Sequence, residues 1–168
     1  DFHSIDVYHS KNITALADAN YLPFIDNYFD IVVIQAVLEH VISPEKVVSE
    51  IYRVLSKNGI VYSETPFMQS VHEGAYDFLR FTHSGHRWLF RNFQEIKSGA
   101  HQGSFESLVF IGSHAFSALL RNRLVGIIFR LIFTRMARFL DTLLTSEWNI
   151  DIACGCFFIG KKSKKDLI

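Results

Sequence analysis

The sequence predicts an α/β domain with a mostly parallel sheet, and three neighbouring segments are the basis of that prediction. Residues 30–34 form a short, mainly β-branched run, residues 43–59 have the pattern of a capped helix, and residues 60–63 form a second apolar run. A strand, a helix and a strand in such close succession make a β-α-β unit, in which the two strands lie parallel. With 168 residues, the chain is long enough for one sizeable core.

The charge balance and the cysteines narrow the class of protein. Lys plus Arg and Asp plus Glu both number 17, so no net field recruits nucleic acid, and we expect no nucleic-acid partner. Cys154 and Cys156 stand two apart in an apolar run. On a strand they would lie roughly 6.6 Å apart, which is too far for comfortable bridging. The sequence therefore favours a reduced, cytoplasmic protein.

The first strands are predicted from short apolar stretches. Residues 5–8 and 13–16 predict two strands, of which the first carries Asp6 and the second is followed by Asp18. The run at residues 30–34 shows no alternation of polar and apolar positions. Such a run is typical of a strand that is covered on both faces, as in a parallel sheet.

The helix that follows has recognisable ends. Ser43 offers a hydroxyl cap and Pro44 suits the first helical position. The segment 57–59, Lys-Asn-Gly, predicts the end of the helix. Apolar residues stand at helical spacing between these ends: Val47, Val48, Ile51, Val54 and Leu55.

The second half of the chain predicts more helix than strand. A short helix is expected near residues 84–90, a strand near 93–98, and a break at 99–103. Residues 105–146 have a helical pattern, and residues 154–160 predict a last strand, which we expect to be antiparallel. A basic tail, residues 161–168, follows this strand.

Polar side chains cluster where the predicted strands end. Asp6, Asp18 and the segment 35–40 each follow an apolar stretch. In open parallel sheets, ligands bind at the carboxyl ends of the strands. Carboxylates at neighbouring strand ends suit a ligand with a ribose diol and an adenine amine, because both groups donate hydrogen bonds.

These features together resemble a known family. The stretches DNYFDIVVIQAVLEHV and SPEKVVSEIYRVLSKNGIVYSETPF, preceded by Asp6, Asp18-Ala19 and Leu22-Pro23-Phe24, resemble the class I S-adenosylmethionine-dependent methyltransferases of the type-11 group. The resemblance is close over residues 5–67 and looser to residue 98. It implies a Rossmann-like fold, with S-adenosylmethionine as the cofactor.

The resemblance also implies roles for individual residues. Asp6 matches the acid that binds the ribose hydroxyls, and Asp18 matches the acid that meets the adenine amine, with Ala19 beside the ring. Residues 35–40 match the family's loop after the fourth strand. That loop lines the methionine end of the cofactor and the substrate entrance, and here it includes Gln35, Ala36, Glu39 and His40. The family's first strand and glycine-rich loop lie upstream of the ribose acid, and residues 1–5 do not match them. We therefore expect a truncated sequence, in which cofactor binding depends on that missing loop.

The loop at residues 68–83 is the candidate for acceptor binding. Methyl transfer from a sulfonium is an in-line displacement, which needs alignment first and a base only when the nucleophile carries a proton. The hypothesis assigns the base to His72, Glu73 or Asp77, with Tyr76 and Arg80 orienting the substrate. The alternative is a structural loop in which Asp77 and Arg80 form a surface ion pair. His72 and His83 show no metal-ligand spacing, so no metal is expected.

Residues 120–144 predict an amphipathic helix with arginines on its polar side. Its apolar stretches are too short to span a membrane. It could be a lid that packs on the core. It could instead lie on an anionic membrane surface or cover a lipid-like substrate. The predicted apolar side comprises Val125, Phe129, Ile132, Phe133, Met136, Leu140 and Leu143, and the polar side comprises Arg123, Arg130, Arg138 and Asp141, with Arg121 and Arg135 at its margin.

The resulting functional hypothesis is methyl transfer from S-adenosylmethionine to oxygen or carbon of a small-molecule or lipid-like acceptor, with peripheral membrane contact through residues 120–144. One domain is expected, with residues 1–99 as the cofactor-binding core, 100–150 as a helical insertion or lid, 151–160 as the last strand and 161–168 as the tail. Two alternatives stay open: another nucleotide-binding enzyme such as a dehydrogenase, and a degenerate scaffold that docks on membranes without catalysis.

Overall fold

The computed structural model describes residues 2–72, 74–144 and 146–163, and it has two sheets. The small parallel sheet pairs β1 (Ile5–Asp6) with β2 (Ala15–Leu16). The main sheet has the order β3-β4-β6-β5, with β3 (Phe29–Gln35), β4 (Leu55–Pro66), β5 (Gln94–His101) and β6 (Gly155–Lys161). The helices are α1 (Pro44–Val54), α2 (His83–Leu89), α3 (Ser104–Leu119), α4 (Arg123–Thr142) and α5 (Ser146–Ile150), with 3-10 helices at Leu38–His40 and Gly74–Tyr76.

The strand directions confirm the predicted α/β fold. β3 and β4 pair in parallel and are joined by α1, which is the expected β-α-β unit. β6 lies between β4 and β5 and is antiparallel to both. β3, β4 and β5 therefore run in one direction, and the last strand runs against them as predicted.

The predicted start of α1 at Pro44 is confirmed, but its hydroxyl cap and its predicted end need correction. The Ser43 side chain makes no capping hydrogen bond, and it is the Ser43 carbonyl that accepts from the amides of Lys46 and Val47. The helix ends at Val54, so Lys-Asn-Gly at residues 57–59 lies within β4. The cause is tertiary, because the amides of residues 27 and 28 donate to the last helical carbonyls at distances of 3.0 and 2.7 Å. Because another segment satisfies these carbonyls, the helix can end at Val54 and the chain continues directly as β4.

The hydrophobic core lies on one face of the main sheet, under α1 and α2. Phe90 and Phe158 stack with ring centroids 5.0 Å apart at its centre. The expectation that β3 is covered on both faces is wrong for the described residues, because Ile31 and Val33 are 63% and 62% exposed. The buried core cluster consists of Ile34, Leu38, Val47, Val48, Ile51, Leu55, Val61, Leu89, Phe90, Phe93 and Phe158.

The helical region at residues 105–146 is a hairpin rather than one run. It divides at residues 120–122, where the Asn122 side chain caps α4 by accepting from the Leu124 amide. Asp141, near the end of α4, caps α3 by accepting from the amides of Phe105 and Glu106 at 2.9 and 3.0 Å. The predicted break at residues 99–103 also moves, since β5 continues to His101.

The outward face of α4 is apolar and exposed. Phe129 packs against Phe116 of α3 with ring centroids 5.1 Å apart, and Phe133 packs against Phe129. Several positions of the predicted apolar side do not pack, including Ile132, Met136 and Leu143. None of the α4 residues belongs to the core cluster, although Ala137 is buried. The roles of residues 120–144 as a lid or as a membrane-contacting helix both stay predictions. Among the described segments, no helix has the length and hydropathy needed to cross a membrane.

Candidate functional site

Asp6 and Asp18 lie at the same end of the small sheet. The parallel register places Asp6 opposite Leu16, and the Ala17 amide donates to the Asp6 carbonyl at 3.0 Å. Oδ1 of Asp6 accepts from the Tyr8 amide, and Oδ1 of Asp18 accepts from the backbone and side chain of Asn20. Neither Oδ2 has a hydrogen-bond donor among the described residues. Each exposed carboxylate thus keeps an oxygen that can accept from a hydroxyl or an amine.

Arg53 of α1 holds the segment that follows Asp18, residues 22–26, against the helix. The Arg53 guanidinium donates to the carbonyls of Leu22 and Phe24 at 3.0 and 2.8 Å, and it pairs with Asp26 and Glu50. Glu50 in turn accepts from the Leu22 amide at 2.9 Å. Hydrogen bonds from Arg53 lower the pKa of Glu50, which therefore stays ionised. The sequence analysis did not predict this network. Its one feature that can be read locally is the pair of Glu50 and Arg53, three residues apart on one helix.

The end of β3 leads into a polar cluster around Glu64. Gln35 and Tyr62 both donate to Oε2 of Glu64 at 2.8 Å, and His101 lies 2.8 Å from Oε1. Ala36 then turns the chain with a positive φ of 52°, and its amide donates to the Glu64 carbonyl. Left-handed backbone costs a non-glycine residue about 1 kcal/mol or more, so the turn at this predicted cofactor loop is strained.

Glu39 is fully buried at the start of the next loop. Its Oε2 lies 3.5 Å from the Thr65 hydroxyl, whereas Oε1 has no hydrogen-bond partner. Burial raises the pKa of this carboxyl, and nearby His40 and His72 act in the opposite direction. The backbone carbonyl of Glu39 accepts from the amides of Phe78 and Leu79, which docks the predicted acceptor loop onto this turn.

The acceptor loop is organised by Asp77 and Arg80. Arg80 binds both carboxylate oxygens of Asp77, whose side chain is completely buried. These hydrogen bonds lower the pKa of Asp77 to about 2, so it is an ionised anchor and a poor base. The Asp77–Arg80 ion pair of the structural alternative is present, but the Asp77 carboxylate is buried rather than on the surface. Tyr76 exposes its side chain and contributes its carbonyl, and Glu73 lies outside the described residues.

The two histidines of this region face Glu39. Nε2 of His40 and Nε2 of His72 lie 3.7 and 3.8 Å from Glu39 Oε1. Their rings meet edge to face, with centroids 4.9 Å apart. The structure thus brings together three predicted residues that are up to 33 positions apart in the chain. No hydrogen bond within the described segments joins them to Asp6 or Asp18.

Comparison with known proteins identifies what this arrangement is similar to. Residues 6–63 match the family model described as a methyltransferase domain. The chain is 40% identical over 68 residues to the ubiquinone/menaquinone biosynthesis C-methyltransferase UbiE of Neisseria meningitidis. That alignment covers 40% of this chain but only 28% of the relative.

Solved structures extend the similarity to most of the chain. The methyltransferase in a complex with the Haloferax volcanii Trm112 methyltransferase activator has a TM-score of 0.56 at 15% identity, and the match covers 96% of this chain and 66% of that one. A methyltransferase from Thermotoga maritima has a TM-score of 0.54 at 15% identity, with coverage of 90% and 65%. At such identities the likeness concerns the fold alone, and it includes the helical hairpin region as well as the sheet.

Proposed function

We propose that the protein transfers a methyl group from S-adenosylmethionine to an acceptor, because residues 6–63 match the methyltransferase-domain model and the fold is similar to those of solved methyltransferases. The observation on which this proposal rests is the pair of carboxylates, Asp6 and Asp18, at one end of the parallel strands β1 and β2. Each retains an oxygen without a donor, which fits an adenosyl group with two kinds of hydrogen-bond donor.

When bound, the cofactor supplies an electrophilic methyl group on a sulfonium sulfur. Asp6 would accept from the ribose hydroxyls, Asp18 would accept from the adenine amine, and Ala19 would contribute backbone beside the ring. The turn at Gln35 and Ala36 would line the methionine end. Arg53 acts as a positioning residue, because it fixes the segment after Asp18 on α1.

The acceptor meets the loop that follows β4. Asp77 and Arg80 hold this loop in shape, and Tyr76 presents an exposed ring to the acceptor. Displacement at a methyl carbon depends above all on alignment of the two reactants. Where the acceptor carries a proton to lose, the cluster of Glu39, His40 and His72 is the proposed recipient.

Loss of either carboxylate is expected to weaken cofactor binding. A hydrogen bond to a charged group contributes about 1.5–3 kcal/mol, so Asp6→Ala and Asp18→Ala should each weaken binding roughly ten- to hundredfold. Titration calorimetry of the full-length protein with S-adenosylmethionine measures this. Asp151→Ala, a change of an exposed acid in a turn, is the control and should leave the affinity unchanged. Wild-type affinity in both variants, or no binding by the wild type, would overturn the proposal.

We further propose that the acceptor is lipid-like and that α4 rests on an anionic membrane surface. The apolar outward face of α4 supports this, because its large side chains are exposed and arginines stand beside them. The Neisseria relative is named for ubiquinone and menaquinone biosynthesis, which agrees with a lipid-like acceptor. The exposed apolar residues of this face are Leu124, Ile127, Ile128, Leu131, Ile132 and Phe139.

Vesicle binding should depend on that face. Leu131 is 75% exposed, so Leu131→Asp should leave the fold intact while reducing binding to vesicles with anionic lipid at least about tenfold. Ile96→Asp, on β5, is a matched control because Ile96 is also exposed. Arg135→Glu should weaken binding to anionic vesicles and have little effect on neutral ones. If the wild type ignores anionic vesicles, or if Leu131→Asp binds them normally, the membrane proposal fails. Vesicle binding without any cofactor binding would favour the non-catalytic scaffold.

A further inference from the structure

The fully buried side chain of Glu39 has one oxygen, Oε1, without a hydrogen-bond partner. A buried carboxylate oxygen without a partner is costly, and such groups are commonly compensated by pairing or by a metal ion. The Nε2 atoms of His40 and His72 lie 3.7 and 3.8 Å from this oxygen. These distances are too long for hydrogen bonds, so the oxygen points into a gap between two imidazoles.

Each imidazole is oriented from behind. Nδ1 of His40 lies 2.7 Å from the Tyr76 carbonyl, so Nδ1 carries the proton and donates it to that carbonyl. Nδ1 of His72 lies 3.5 Å from Oδ2 of Asp77, a carboxylate that Arg80 already holds in place. The His40 hydrogen bond leaves the lone pair of its Nε2 facing Glu39, and the Asp77 contact, which is not a hydrogen bond, places the Nδ1 side of His72 away from Glu39. Outer partners of this type, a carbonyl on one histidine and a carboxylate on the other, fix the tautomer of metal-binding histidines in proteins.

The separations fit a small divalent ion. Zinc bonds to histidine nitrogen and carboxylate oxygen are about 2.0–2.2 Å long, so tetrahedral ligands lie about 3.3–3.5 Å apart. All three ligand atoms here lie within 4.8 Å of one another. Two neutral imidazoles and one carboxylate are a poor set for magnesium or calcium, which prefer oxygen ligands.

We propose that Glu39, His40 and His72 form a binding site for a divalent transition-metal ion such as Zn²⁺. Three protein ligands leave a fourth position open, as in catalytic rather than structural zinc sites. That position lies beside the predicted acceptor loop, so a bound ion could hold a water molecule or an acceptor oxygen. The ion would also tie the loop carrying His72 to the turn after β3. This site goes beyond the proposed methyl transfer, and with the ion bound the three ligands no longer serve as proton recipient, because a lone pair bound to the metal cannot take a proton. Metal binding can be measured without cofactor or acceptor.

The test is metal binding by the untagged full-length protein. Titration with Zn²⁺ against a fluorescent competitor should show one strong site, and Co²⁺ should give the visible absorption of a four- or five-coordinate ion. His72→Ala and Glu39→Gln should each weaken Zn²⁺ binding by more than about tenfold, and Asp77→Asn should weaken it roughly ten- to hundredfold through the orientation of His72. Zn²⁺ should also raise the Tm of the wild type, since it binds the folded state.

His101→Ala is the matched control, because the His101 side chain is 41% exposed and that of His72 is 39% exposed. It should bind Zn²⁺ as the wild type does. If Glu39→Gln fails to fold, His72→Ala still decides the question, since its side chain is partly exposed. Absence of a one-to-one Zn²⁺ complex in the wild type, or equal binding by the wild type and His72→Ala, would overturn the proposal.

Discussion

Replacing Phe158 with alanine is expected to lower the free energy of unfolding by about 3–5 kcal/mol. Phe158 is 1% exposed in the central part of the main sheet, and its ring stacks on Phe90 of the segment that follows α2. Removing the ring leaves a cavity on the core face of β6. The neighbouring strands β4 and β5 are held by their hydrogen bonds to β6 and cannot move in to fill it. Because marginal domains have a total stability of only about 5–15 kcal/mol, this single change should be close to unfolding the protein.

Urea denaturation followed by circular dichroism measures the loss. The matched control is Phe139→Ala, which removes the same side chain from the exposed face of α4 and should cost less than about 1 kcal/mol. A similar loss in both variants would mean that the core is not concentrated under α1 and α2. The comparison also tests whether the helical hairpin contributes to the stability of the sheet.

The β-α-β unit could be predicted because its pattern is local. The apolar run of β3, the face of α1 and Pro44 at its first position are each readable from a few consecutive residues. The end of α1 could not be predicted, because it depends on amides of residues 27 and 28 that reach the helix from another segment. Asp141 is a second case, since it caps a helix that begins 37 positions earlier in the chain.

The candidate site divides in the same way. Asp6 and Asp18 could be selected because carboxylates after short strands follow the topology of the sheet. That Glu39, His40 and His72 form one cluster could not be predicted. Their proximity depends on a loop that folds back, with two of its backbone amides donating hydrogen bonds to the Glu39 carbonyl. The expectation of no metal considered only spacing along the chain, which carries no information about such a tertiary contact, and the metal site stays a proposal.

The exposed face of β3 shows where the sequence pattern was informative although the expectation failed. Ile31 and Val33 are apolar, as expected for a strand with two covered faces, yet the described residues cover only the face that carries Ile34. β3 also has a single neighbour, β4, among the described strands. An apolar edge of this kind is a template for pairing with another strand. The apolar pattern of β3 therefore indicates a contact surface that includes Ile31 and Val33, and the described residues do not cover it.

Lowering the pH from 6.5 to 4.5 is expected to destabilise the protein through His86 by about 2–3 kcal/mol. His86 is fully buried beside Phe81, Phe90 and Phe158, and burial lowers its pKa to about 4. Its Nε2 lies 2.8 Å from the Ser63 hydroxyl, whereas Nδ1 has no hydrogen-bond partner among the described residues. The protonated ring would therefore bury both a charge and an unpaired N–H.

Stability falls with falling pH because the pKa of His86 is lower in the folded protein than in the unfolded chain. In the unfolded chain the imidazole takes up a proton near pH 6.5, and in the folded protein only near pH 4, so the unfolded state holds more protons between these values. This contribution to stability is complete above pH 6.5 and is lost as the pH falls toward 4. Carboxylates also titrate in this window, so the informative quantity is the difference between the wild type and His86→Gln, whose amide can still reach Ser63. That difference should depend on pH, whereas His9→Gln, at an exposed position, should follow the wild type. Parallel stability curves for the wild type and His86→Gln from pH 7 to 4.5 would show that His86 is not kept neutral by burial.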